Sequence, residues 1–170
     1  IKQATEVQKN KDSISHTEKV LLMATEIEFL SSKNILIARE FLNTGNAGYL
    51  QLYDREQDRL LRVVSDLKRA ENADKIQQAT IDTVQQYVQQ LTGYSVKLKE
   101  VARMTDSGVE KKRAADQVKR EFSLILEQLE QYTGFIREAE WKEKATQQMA
   151  NEKALRYLKI ILYLFLGFVL

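Results

Sequence analysis

Four stretches of this 170-residue chain carry apolar residues spaced alternately three and four apart, with short turn-forming runs between them. That spacing keeps one side of an α-helix apolar. The first stretch carries Val20, Met23, Ile27, Leu30, Ile37 and Phe41, and the second Tyr49, Tyr53, Leu60, Val63 or Val64, and Leu67. The third carries Ile81, Val84, Val88, Leu91, Leu98 and Val101; the fourth, the most regular, carries Val118, Phe122, Ile125, Leu129, Tyr132, Ile136 and Ala139. Between them stand Asn43-Thr44-Gly45-Asn46, Glu71-Asn72-Ala73-Asp74 and Thr105-Asp106-Ser107-Gly108, all runs that favour turns. Asp74 with Gln77, and Ser107 with Glu110, read as capping pairs for the orphan amides at a helix start. Helices are therefore expected over residues 5–42, 46–71, 74–104 and 108–168. No proline occurs, and proline would remove a backbone donor and clash with the preceding helical turn. The prediction is an all-α fold, an up-down-up-down antiparallel four-helix bundle.

The helix lengths add a second expectation. If helix 1 turns at residue 45, helix 2 runs back for about 26 residues, or ~39 Å at 1.5 Å per residue. Its far end is then level with residue 17 of helix 1, and helix 4 reaches that level near residue 140. The apolar seams stop at those places. Residues 1–19 and the stretch from Trp141 to Lys153 are polar and have no helix 2 or 3 beside them. The reading is a four-helix bundle over 20–140, with 1–19 and 141–155 as a two-helix stalk. Charge stops at Lys159, and the last eleven residues are uncharged. They cover about half of a ~30 Å hydrocarbon core, with Tyr157 and Tyr163 placed as interfacial aromatics. Residues 156–170 are thus expected to begin a transmembrane helix that is cut short, with another transmembrane helix before Ile1.

Chemistry is sparse. Without cysteine there are no disulfides, thiol nucleophiles or thiolate metal sites. The single histidine, His16, lacks the Glu-x-x-His pattern of di-iron bundles and reads as a solvated stalk residue. One histidine cannot serve a catalytic triad, and no Gly-rich phosphate loop is present. No catalytic residue, cofactor or metal ligand is expected. Asp54 and Asp58 share a helix face but are interleaved with Arg55, Arg59 and Arg62, as a solvated charged face would be. A net charge of +2 gives no broad field for nucleic acid. Polar groups at or near seam positions, Asn34, Tyr87, Tyr94, Ser95 and Tyr132, suit either an inter-helix ligand pocket or the setting of helix register.

The run Ala38-Arg39-Glu40-Phe41-Leu42-Asn43-Thr44-Gly45-Asn46-Ala47-Gly48-Tyr49-Leu50-Gln51-Leu52-Tyr53 resembles the signature of the third type of CHASE domain (cyclases/histidine kinases associated sensory extracellular). In that family Arg-Gly-Tyr-Leu-Leu-Thr-Gly closes helix 1, and Tyr-Leu-x-x-Tyr follows. Arg39, Phe41, Leu42, Thr44, Gly45, Tyr49, Leu50 and Tyr53 match in type and spacing. Glu40 and Asn43 depart from the family's Gly and Leu, and Lys33 and Ile35 stand where acidic residues are usual. Read physically, Gly45 takes the left-handed conformation past the helix end, Tyr49 and Tyr53 pack on Phe41, and Arg39 sits in the last turn against the helix dipole. The resemblance implies a sensory module outside the inner membrane of a bacterial cell, facing the periplasm or exterior. It further implies a parallel homodimer belonging to a histidine kinase, cyclase or chemoreceptor. The apolar end makes the C-terminal helix the expected anchor, and the stalk adds the expectation that stimulus is passed on by movement of helix 4 against helix 1. Two alternatives are the ligand-binding bundle of a methyl-accepting chemotaxis receptor and a membrane-anchored structural tether.

Overall fold

The computed structural model describes residues 2–70, 75–104 and 108–169, with side-chain surroundings for 15–70, 77–104 and 108–161. These residues form four α-helices and no strand: α1 (Lys2–Thr44), α2 (Ala47–Ala70), α3 (Lys75–Arg103) and α4 (Val109–Val169). The expected capping residues Asp74 and Ser107, and most of the second and third turn runs, lie outside the described residues. The chain divides into two compact units: an end unit of Ile1–Lys19 with Glu138–Leu170, and a central unit of Val20–Arg137. α1 and α4 contribute to both.

In the central unit the buried apolar side chains form one cluster drawn from all four helices. Fully burying each Leu, Ile, Val or Phe contributes about 1.5–3 kcal/mol before chain entropy is counted. Nearly all the seam residues are inside, including all six expected on α1. The buried face of α1 is wider than that seam, because Ala24, Ser31, Asn34 and Ala38 are fully buried alongside Val20, Ile27 and Leu30. Small and polar residues therefore make up part of that face. At the other end of the pattern, Ala139 is exposed rather than closing the α4 seam. On the side of α1 away from the core, Leu22, Phe29 and Leu36 recur at seven-residue intervals and are 67%, 62% and 59% exposed.

Charged groups link neighbouring helices. Glu26 of α1 accepts from Arg59 of α2 at 2.6 Å, and the nearly buried Glu56 of α2 pairs with Lys33 of α1 at 3.1 Å. The Lys33 ammonium, first among its neighbours, holds the Glu56 carboxyl below the usual range. Asp82 of α3, likewise lowered, accepts from Lys68 of α2 at 2.7 Å. Between α1 and α4, Glu28 accepts from Thr133 at 2.5 Å and from Arg137 at 2.6 Å. In the end unit Glu18 accepts from Lys144 at 3.0 Å, and the Lys144 ammonium lies 5.3 Å from the Trp141 ring centre. Thr17 and Glu140 are buried there, and His16 is half-buried rather than fully solvated.

Candidate functional site

The turn between α1 and α2 is assembled by its own side chains. Gly45 has φ +68°, where a Cβ would strain the backbone, and its N–H donates to the Phe41 carbonyl at 2.8 Å. The Thr44 hydroxyl donates to the Glu40 carbonyl at 2.7 Å and accepts from the Asn46 N–H at 3.3 Å. That bond keeps Thr44 helical, so the turn is shorter than the four-residue run in the sequence. Asn46 caps α2, its Oδ1 accepting from the Gly48 N–H at 2.9 Å.

The eight residues of the family pattern separate into two groups around this turn. Phe41 is buried, and Leu42, Tyr49 and Leu50 are partly buried against the core. Tyr53 is wholly buried and donates its hydroxyl to the Leu91 carbonyl of α3 at 2.7 Å; burial pushes its phenol well above the ordinary value. Its ring centre lies 6.3 Å from that of Phe122, which is 4.7 Å from Tyr94. Arg39 behaves otherwise than its sequence position suggests. α1 continues to Thr44, so no basic residue lies in its last turn, and Arg39 instead donates to the Ser123 hydroxyl of α4 at 3.0 Å.

The five polar seam residues meet different partners. Tyr87 and Tyr132 stack at 5.9 Å, and Tyr87 donates to Gln128 at 3.3 Å. Tyr94 donates to Glu121 at 2.8 Å, and Ser95 donates to Asp54 at 2.6 Å. Asn34 is fully buried, and neither atom of its amide has a partner among the described residues. Ser31 and the Gln57 nitrogen share that condition, and the Gln57 oxygen accepts from Thr92 at 3.4 Å. Ser31 and Gln57 were not singled out in the sequence, although Ser31 stands three residues before Asn34 and seven after Ala24 on one helical face. Asp54 also pairs with Lys99 at 3.3 Å, which makes it a link between α2 and α3. Among the described residues no three His, Cys, Asp or Glu side chains group as metal ligands would.

Another group of linked polar side chains lies between α3 and α4. Glu121 accepts from Lys97 at 2.8 Å, Gln117 at 2.9 Å and Tyr94 at 2.8 Å. These donors, Lys97 foremost, hold its carboxyl down at about 2, while burial and the same carboxylate push the Tyr94 phenol up. Glu121, Lys97, Val101, Met104 and Val118 line a cleft of about 220 Å³. A carboxylate depressed on folding contributes stability above its unfolded value of 4.5 that is lost as pH falls toward 2. Discounted for the group's partial exposure, the expected loss between pH 7 and pH 2 is about 1 kcal/mol. Urea titrations of the protein and of Glu121→Gln check it: the variant should lose that much less across the window, and parallel acid sensitivity would contradict it. Comparison with protein-family models, with curated proteins and with solved structures finds no match to this chain.

Proposed function

We propose that this chain is the extracytoplasmic sensory module of a bacterial transmembrane receptor of the sensor histidine kinase kind. In this reading the central unit is an up-down-up-down antiparallel bundle, and α1 and α4 continue from it as a stalk toward the inner membrane. The observation that carries the reading is the inequality of the helices. α2 and α3 have 24 and 29 residues, whereas α1 and α4 have 43 and 61, and the first and last segments of the chain fall in one unit. Antiparallel order is supported by the partner numbers. Going up α1, residues 26 and 33 meet 59 and 56 of α2, and residues 28 and 39 meet 133 and 123 of α4. Among the described residues no helix is long and apolar enough to cross a membrane, and the membrane anchor is proposed on the eleven uncharged residues after Lys159. Leu22, Phe29 and Leu36 supply a seven-residue seam of the kind two parallel copies pack along.

The relay is movement of α4 against α1. Its test uses the absence of cysteine from these 170 residues, with any cysteine elsewhere in the full-length protein first replaced by serine. In the full-length protein, Glu18→Cys and Lys144→Cys are bridged by a reducible bismaleimide, which spans the gap that the two longer side chains close at 3.0 Å. Cross-linking should hold output at one level regardless of stimulus, and reductant should restore the response. Output that still follows stimulus with the bridge formed would overturn the relay.

A further inference from the structure

An open cleft of about 610 Å³ lies on the central unit, lined by Arg39 and Asn43 of α1 and by Lys119, Arg120, Ser123, Leu124 and Glu127 of α4. Three of these side chains are cations and one is a carboxylate. Such a volume is within the range of small-molecule sites. Exposed cations are common on helical surfaces, and most are solvated and do nothing. This group differs from the rest of the unit in one respect. Among the described residues, the other Lys and Arg side chains that reach a neighbouring helix there all meet a carboxylate. Lys33 meets Glu56, Arg59 meets Glu26, Lys68 meets Asp82, Lys97 meets Glu121, Lys99 meets Asp54 and Arg137 meets Glu28.

At the cleft the pattern breaks. Arg39 donates to the Ser123 hydroxyl at 3.0 Å, and Lys119 donates to the Asn43 amide oxygen at 2.9 Å. Ser123 gives its own proton to the Lys119 carbonyl at 3.1 Å, so its lone pairs face the guanidinium. Both cations are thus held in place by neutral acceptors that leave their charge uncompensated, and each has further N–H donors to offer. Arg120 has no carboxylate partner among the described residues. Glu127 is the one negative group lining the cleft, and Leu124, 63% exposed, adds an apolar surface. A guanidinium matches the two oxygens of a carboxylate or phosphate, and a fixed ammonium adds a point charge.

We propose that this cleft binds a small organic anion with two or more negative charges, a di- or tricarboxylate or a phosphomonoester, whose carbon body rests on Leu124. This names a ligand class for the sensory module and rests on that reading for its biological meaning. Binding itself is measured without any signalling output, so a failed titration and a failed cross-link are separable results.

The test is calorimetric titration of the 170-residue chain in mild detergent with citrate, succinate, glycerol phosphate and inorganic phosphate, with neutral succinamide as control. At least one anion should bind at millimolar affinity or tighter while succinamide does not, and the preferred anion separates the carboxylate source from the phosphate source. Arg39→Gln and Lys119→Gln should each weaken it at least tenfold with unchanged helical circular dichroism. Arg103→Gln removes an equal charge from exposed α3 surface and should leave binding as it was. No heat with any of the four anions, or equal weakening by Arg103→Gln, would overturn the proposal.

Discussion

Truncating Phe122 to alanine is expected to lower the unfolding free energy of the central unit by about 4 kcal/mol, near the top of what single core substitutions cost. Phe122 is wholly buried, and its ring is set against both Tyr53 of α2 and Tyr94 of α3, at 6.3 and 4.7 Å. Removing it opens a cavity where three helices meet and deletes two aromatic contacts, each adding about 0.5–1.5 kcal/mol beyond area. Tyr53 cannot swing into the space without giving up its hydrogen bond to Leu91. In urea the midpoint should fall with little change in slope, as for a loss of stability without a change in exposed surface. A loss below about 1 kcal/mol would mean that the site collapses freely, contrary to its packing.

Asn34→Leu should act in the opposite direction and raise stability by about 2 kcal/mol. A buried amide without partners carries a desolvation cost of about 1–3 kcal/mol that an apolar side chain of like shape does not. Asparagine and leucine both branch at Cγ. The added volume is set against a cost of overpacking, eased here because Ala24, Ser31 and Ala38 occupy the same face of α1. Thermal and urea unfolding measure the gain. Destabilisation by a similar amount would show that the amide is satisfied in solution, as by a buried water. Under the sensory reading the substitution should also blunt the response of the full-length protein, since a residue retained against stability is expected where function needs it.

The sequence showed the helices and most of the core because those depend on a repeat of 3.6 residues, which any stretch reveals by itself. On α1 the large apolar side chains mark a seam that is buried throughout, but they leave out Ala24, Ser31 and Ala38, which are fully buried on the same helix. Small residues there leave no trace in a pattern built on hydrophobicity. Asn34 stands out in the sequence and Ser31 and Gln57 do not, because one polar residue interrupting a seam is conspicuous and one lying beside it is not. Arg39 stands a short distance before Gly45 in the sequence, which suggests a role at the helix dipole. Its contact with Ser123 depends on which helix lies alongside α1 and at what height, and periodicity contains neither. The same gap hid the cleft, whose α1 residues and α4 residues lie more than 70 positions apart in the chain.

Glu28 has a mechanical consequence. Its carboxylate is shared by Thr133 and Arg137, which stand one turn apart on α4 and each bind one of its two oxygens. A slide of α4 by a fraction of a turn would weaken both bonds together, while a full turn of ~5.4 Å would set new side chains opposite Glu28. Under the sensory reading the pair therefore resists small slides of α4 past α1, so that motion passing this point has to break two bonds at once before it can proceed.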